Sequence, residues 1–207
     1  MDLVRELKPL YSPSAKQPVV VDVPELAFLM IDGRGDPNSS AVYQEAIGAL
    51  YSTAYTLKFT LKKRSPDRDF KVMPLEGLWW ADDERPTLEE LQDDRDSWNW
   101  TMMIAVPDEV TADEVAEATR TAAERRPNAS LAKIRLERFA EGAAAQVMHV
   151  GPYSAEAPTI ERLHAFVADE GYELRGRHHE IYLGDPRRTA PERLKTVVRH
   201  PVRRRET

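Results

Sequence analysis

Two short segments, LEGLWW at 75–80 and HHEIYL at 178–183, each place a glutamate among leucine, isoleucine, tryptophan and tyrosine in what otherwise reads as a strand. A carboxylate in such company loses hydration, and a second one nearby raises at least one pKa further. Such a pair can divide the work: one group polarises or deprotonates water, while a neutral acid or a tyrosine hydroxyl stabilises an oxygen gaining charge. Glu180, Glu76 and Tyr182 are therefore the candidate catalytic residues. Aromatic walls would stack a flat compound, and with an ionised glutamate they would equally suit a lipophilic cation. Trp80, Trp79, Trp100, Tyr55, Tyr51 and His178 are the candidate ligand-binding residues. Core packing is the alternative for Tyr51 and Tyr55, which lie one helical turn apart, while Trp98 and Trp100 alternate with Asn99 and should face one way.

Other chemistries are disfavoured. No cysteine is present, which excludes disulfides, thiolate metal sites and cysteine nucleophiles. His178 and His179 are adjacent and point to opposite faces of a strand, while His149 and His164 have no third ligand at metal spacing and read as satisfied structural histidines. No metal and no cofactor is expected. GRGDP lacks the third glycine of a dinucleotide fingerprint, and no phosphate loop or nucleophile elbow occurs. A net charge of −6 argues against direct nucleic-acid binding, and VRRRET, the one compact basic cluster, reads as a solvated tail. No run approaches the about 20 apolar residues that span a bilayer, and the first residues lack secretory features. A cytoplasmic protein without a membrane partner is the expectation, with association of two copies as a homodimer left open.

The elements that must position these residues can be traced along the chain. Residues 1–24 form a proline-punctuated arm whose Val19, Val20, Val21 and Val23 make a short edge strand before Pro24. ELAFLMIDGRGDP, 25–37, is a buried strand and turn, and a helix follows with Tyr43, Ile47, Leu50, Ala54, Leu57 and Leu61 on one face. KVMPLEGLWWADD enters an acidic loop and WNWTMMIAVPD returns from it, as a hairpin with a long connection. Thr111, with Glu114 three residues on, caps a surface helix that stops before Pro127. LAKIRLERF and AAQVMHVGPY read as two strands turning at Gly142, a helix follows from Pro158 to Gly171, and YELRGRHHEIYL and RLKTVVRHPV read as the last two strands.

The order repeats. Strand, glycine turn, amphipathic helix, glutamate-bearing strand and further strand occur first at about 25–108 and again at about 141–207, joined by a connecting helix and strand at 109–140. The expected fold is α+β: duplicated strand–helix–strand–strand modules related by a pseudo-two-fold axis, an antiparallel sheet with helices on one face, and a ligand cleft. With PLEGLWW set opposite HHEIYLG, Glu76 and Glu180 would enter one central groove on the sheet face away from the helices.

LEGLWW, WNWTMMIAVPD and above all HVGPYSAEAPTIERLHAFVADEGYELRGRHHEIYLGDPRRTAPERLKTVVRHPV resemble the GyrI-like small-molecule-binding family from about residue 20 to the end. The resemblance implies a duplicated fold whose cleft accepts bulky aromatic, often cationic compounds. Some relatives are drug-sensing domains of transcription regulators, in which a buried glutamate among aromatics meets the ligand's charge. A stand-alone branch, which this chain is similar to, includes hydrolases that open the cyclopropane ring of DNA-alkylating natural products. On that resemblance the candidate glutamates are Glu180 with Tyr182 and Glu76 with Trp79 and Trp80. The expected function is binding of such compounds for xenobiotic resistance, with ring hydrolysis as its catalytic form. A non-catalytic drug sensor, or a partner-binding protein of the gyrase-inhibitor kind, is the alternative.

Overall fold

The computed structural model describes residues 3–81 and 97–206. The acidic loop read from sequence, 82–96, lies outside the described residues. In chain order the helices are α1 (Leu3–Glu6), α2 (Lys8–Tyr11), α3 (Ala41–Arg64), α4 (Ala112–Arg125) and α5 (Ala157–Asp169). The strands are β1 (Val19–Arg34), β2 (Leu75–Trp80), β3 (Asn99–Val106), β4 (Arg135–Val150), β5 (Tyr172–Leu174), β6 (His178–Tyr182) and β7 (Lys195–Arg204). The sheet order β4-β1-β3-β2-β6-β7-β5 carries an additional β4–β7 pairing, so six antiparallel strands close into a barrel with β5 on its outside. The repeat is plain in this order. β1-α3-β2-β3 and β4-α5-β6-β7 are the two modules, which meet at the β2–β6 seam and again where β1 pairs with β4.

Local chemistry sets the helix starts. The Ser40 side chain accepts the N–H of Tyr43 and opens α3, whose buried stripe runs Tyr43, Ala46, Leu50, Ala54, Leu57 and Leu61. Thr111 and Glu114 form the expected reciprocal capping box on α4.

Three boundaries differ from the sequence reading. β1 runs unbroken from Val19 through Pro24, so the second half of the supposed arm belongs to the barrel. A proline is tolerated in such a strand where its missing N–H leaves no ladder bond unmade, and none pairs Pro24 across to Glu141. β4 is likewise one strand. Gly142 is no turn but a kink at φ +70° inside it, a conformation glycine adopts without a Cβ clash. The kink inverts the alternation of side chains. Gln146 and Glu141 are five residues apart and would face opposite ways in a regular strand, yet both reach the Arg199 guanidinium. In the third case YELRGRHHEIYL divides into β5 and β6 around Gly176, at φ +65°.

The two faces of the barrel wall are distinct. Register pairs Gly77 with Glu180, Leu75 with Tyr182 and Trp79 with both His178 and Trp100, so these residues point outward together. α3 and α5 cover that outer face: Tyr43 of α3 packs its ring on Trp79 and Trp100, and His164 of α5 packs on His200 of β7. Glu76, Leu78, His179, Ile181 and Arg199 point into the barrel, where Leu10 and Tyr11 of α2 join them.

Trp100 is fully buried and lies flat against Gly33, where a Cβ would meet its ring carbons at 2.1 Å. Gly33→Ala must therefore push the indole or the strand aside, and overpacking of this kind costs about 1–3 kcal/mol. Thermal unfolding should show the loss; an unchanged melting temperature would mean that the indole has room to yield.

Candidate functional site

On the outer face, over the β2–β6 seam, aromatic rings from both modules converge on Glu180. The Tyr182 hydroxyl donates to Glu180 Oε2 at 2.7 Å, and Trp79 Nε1 donates to the Tyr182 oxygen at 3.1 Å. His178 Nε2 lies 3.1 Å from Glu180 Oε1. Tyr153, on the turn before α5, packs edge-on against Tyr182 with ring centroids 5.6 Å apart, and Trp98 packs edge-on against Trp79 at 5.7 Å. Tyr43 closes the α3 side. Trp100 forms the floor beneath Tyr43, and Tyr51 stands half-buried toward Asp185 and Arg187. Tyr153 is 41% exposed, so the cluster reaches solvent on its side.

A second acid, Glu156, completes the site. It is 5% exposed, its carboxyl faces that of Glu180 with the Thr196 hydroxyl nearby, and its Oε1 is buried with no hydrogen-bond donor among the described residues. Two carboxyls that face each other away from water keep a proton between them. Burial, and next the Glu180 charge, push Glu156 up to about 10, so it is the neutral member. Burial opposes ionisation of Glu180 too, but bonds from His178, Tyr182 and Glu156 hold it below the usual carboxylate value. Burial and then the Glu180 anion raise Tyr43, and burial followed by Glu156 raises Tyr153 to about 12, which leaves both phenols as neutral donors. Behind His178 lies an imidazole cluster: His200 packs on His178 at 5.9 Å and on His164 at 5.6 Å. Neither ring nitrogen of His200 has a partner among the described residues, and burial first, then His178, drives His200 well down.

Glu76 is not in this cleft. The motif alignment that equated it with Glu180 is displaced by one residue: β2 and β6 place Gly77, not Glu76, directly beside Glu180. A displacement of one residue sends a side chain to the opposite face. Glu76 sits inside the barrel, 1% exposed, accepting the Tyr11 hydroxyl at 2.5 Å and meeting His179 Nε2 at 3.0 Å. There a chain of buried groups continues. His179 Nδ1 lies 3.0 Å from Glu141, Arg199 donates to Glu141 at 3.1 Å and to Gln146 at 3.0 Å, and its third arm reaches the Leu10 carbonyl at 2.7 Å. Burial works against the charged forms of Glu141 and His179. Their mutual attraction, with Arg199 added for Glu141, outweighs it and holds Glu141 at about 2 and His179 at about 9. The groove expected on the face away from the helices is thus the filled interior of a barrel, and the aromatic rings gathered around Glu180 lie on the helix-bearing face.

Trp80 also leaves the proposed set. Alternation turns it away from Trp79, and the Arg177 guanidinium stacks on its ring at 3.6 Å. Tyr55 is 48% exposed and stacks between Tyr51 and Phe59 on the outer side of α3, so it is neither core nor inner wall. Trp79, Trp100, Tyr51, His178, Tyr182 and Glu180 are brought together. His149 is satisfied by Thr159 and the Pro152 carbonyl, as expected, whereas His164 Nε2 has no partner among the described residues.

A family model described as the GyrI-like small molecule binding domain matches residues 16–203. The chain belongs to the GyrI-like family. Among solved structures, this GyrI-like chain is similar to an uncharacterized conserved protein from Listeria innocua, at 40% identity and TM-score 0.87, with 98% of this chain and 100% of that one covered. It is similar to a hydrolase from the same organism at 38% identity and TM-score 0.84, over 98% and 100% of the two chains. The EcmrR C-terminal domain, at 16% identity and TM-score 0.57 over 91% and 98%, shares the fold. No curated protein matches the chain.

Sequence reasoning missed Tyr43, Tyr153, Glu156 and the inner network. Tyr43 was visible only as a member of the α3 stripe. Glu156 had a signal in GPYSAEAP: it occupies the N-cap of α5, where serine, threonine or aspartate would serve better, and its side chain makes no capping bond. A glutamate poorly suited to its local position is explained by a distant partner, Glu180.

These displaced groups predict how the stability of this GyrI-like fold varies with pH. His179 is raised in the folded state, so its contribution is complete below about 6.5 and lost as pH rises through about 9. Glu156 is raised as well, so its folded state also weakens with pH, from about 4.5 towards about 10. Glu141 acts in the other sense, losing its contribution only as pH falls from about 4.5 towards about 2. His164, held at about 4, and His200, well below its usual value, act against this decline below about 6.5, so urea midpoints should fall from about pH 7 to alkaline pH, and Glu156→Gln should make that decline shallower. A decline just as steep in the variant would show that Glu156 ionises normally in the folded protein.

Proposed function

We propose that the cleft between α3 and the start of α5 receives bulky aromatic small molecules and that, for ligands carrying a strained electrophilic ring, Glu180 promotes ring opening by water. The observation that carries this reading is the buried Glu180–Glu156 pair: one anion and one neutral acid beneath aromatic walls. The pocket combines ring stacking with a few converging polar groups, as small-molecule sites do. The hydrolase from Listeria innocua, 38% identical over nearly the whole chain, supports the hydrolytic part.

For a cyclopropyl dienone the chemistry balances within the cleft. Water forms a bond to the ring methylene, the strained carbon–carbon bond breaks, and its electrons pass through the dienone to the carbonyl oxygen, which becomes a phenolate. Glu180 is a weak base because three donors already stabilise its charge. Its part is to stabilise positive charge growing on the attacking water and to take that proton late. A neutral phenol, Tyr153 or Tyr43, donates to the forming phenolate, and the product leaves as a phenol once it takes up the proton that Glu180 accepted. The alkylating electrophile is consumed, which is the protection a resistance role would need.

Incubation of the purified protein with a spirocyclopropyl cyclohexadienone, followed by mass analysis, tests the proposal. A product enlarged by one water, formed faster than in buffer, is expected. Tight binding without turnover would favour the non-catalytic drug sensor, for which the same single anion among rings suffices.

A further inference from the structure

We infer that the cleft exchanges a proton for a cation: when a bulky aromatic cation settles against Glu180 and Glu156, the proton the two carboxyls share is released. This rests on the reading of the cleft as a ligand site and adds how its charge responds to what enters.

The argument is one of charge and contact. Glu156 and Glu180 are both buried and face each other, and Glu156 Oε1 meets no donor among the described residues, so the two hold one negative charge between them. The groups facing them are Tyr43 and Tyr51 from α3, Tyr153 from the turn, Tyr182 and His178 from β6, and Thr196 from β7, with Asp185 and Arg187 further out beside Tyr51. No lysine or arginine among the described residues donates to either carboxyl. His178 stands against Glu180, but no cationic side chain among the described residues meets Glu156, so a fixed positive charge placed over the pair supplies the counter-charge Glu156 lacks, in a region of low polarisability where such a charge acts strongly. The second carboxyl can then ionise and the shared proton leaves. A neutral ligand of the same shape does nothing of the kind. Glu156 becomes the residue that lets one cleft take both classes: protonated beneath a neutral aromatic, ionised beneath a cation.

Calorimetric titration with tetraphenylphosphonium, whose charge is fixed, tests this in buffers of differing ionisation enthalpy between about pH 7 and about pH 9. Release of close to one proton per cation is expected, with the dissociation constant tightening by up to about tenfold per pH unit. Triphenylphosphine oxide, neutral and similar in shape, should bind without proton release. Glu156→Gln should bind the cation with no release and no pH dependence. Cation binding by the native protein without proton release would overturn the inference and leave the ligand site standing. Failure of both compounds to bind would remove the ligand site itself. The carboxyl carbon resonances of the ligand-free protein give an independent reading: one glutamate that stays protonated near neutral pH supports the exchange, and ordinary ionisation of every glutamate refutes it.

Discussion

Arg199→Leu is expected to be the most destabilising single change in the barrel. The guanidinium is 2% exposed and serves three acceptors at once: Glu141, Gln146 and the Leu10 carbonyl. Leucine fills much of the volume but leaves the Glu141 carboxylate buried with His179 as its remaining partner. Removing one member of a buried pair costs about 3–5 kcal/mol, because the other charge stays without compensation. For a chain of this size each kcal/mol lowers the melting temperature by about 2–4 °C, so a fall of roughly 6–20 °C should follow. Arg199→Lys keeps the charge but cannot reach three acceptors from one nitrogen, and should fall between. A leucine variant within about 1 kcal/mol of the native protein by urea denaturation would mean that the interior network adds little net stability, as some buried ion pairs do.

The largest functional effect is expected at Glu180. Glu180→Gln keeps the shape and removes the anion, so the proposed hydrolysis of a cyclopropyl dienone should fall by about 10²–10⁴, the usual contribution of a positioned acid or base. Binding of a neutral aromatic should change little, since Trp79, Tyr43 and Tyr153 remain. Binding of a cation should weaken sharply. The substitution also relieves Glu156 of its charged neighbour, so Glu156 should ionise at a lower pH than in the native protein. A Glu180→Gln variant with undiminished turnover would place the proposed chemistry elsewhere. Glu76→Gln is the informative control: inside the barrel it should lower stability through Tyr11 and His179 and leave the rate constant of the folded fraction nearly intact.

How far the sequence reveals this protein depends on the length scale of each signal. Helical stripes and caps are local, and α3, α4 and α5 lie where their spacing predicts. The duplication was visible because each module repeats the same order of elements. Barrel closure was not, because it rests on the β4–β7 pairing between strands that each read as ordinary sheet members. Glu180, Tyr182, His178 and Trp79 were found from their chemical types. The error at Glu76 came from alignment: similar letters in LEGLWW and HHEIYL match glutamate to glutamate, whereas the pairing sets Glu180 beside Gly77. Glycine there is informative in hindsight, because a Cβ at position 77 would come within 2.8 Å of Trp79 Nε1, the group that orients Tyr182. Register is a property of two strands together, and no single stretch of residues encodes it.

The hook formed by Leu10 and Tyr11 has a bearing on how the chain matures. Its backbone and side chain are fastened to Arg199 and Glu76, partners 189 and 65 positions away. Contacts so remote in sequence are slow to assemble, since a long span of polypeptide must be organised before they can form. During synthesis Tyr11 can meet Glu76 once β2 has been made, whereas the Leu10 carbonyl waits for Arg199 of β7, so the barrel cannot be sealed before β7 has left the ribosome. Until then the acids and bases destined for its interior remain wet, and the polar lock at the centre of the molecule belongs among the last parts to set.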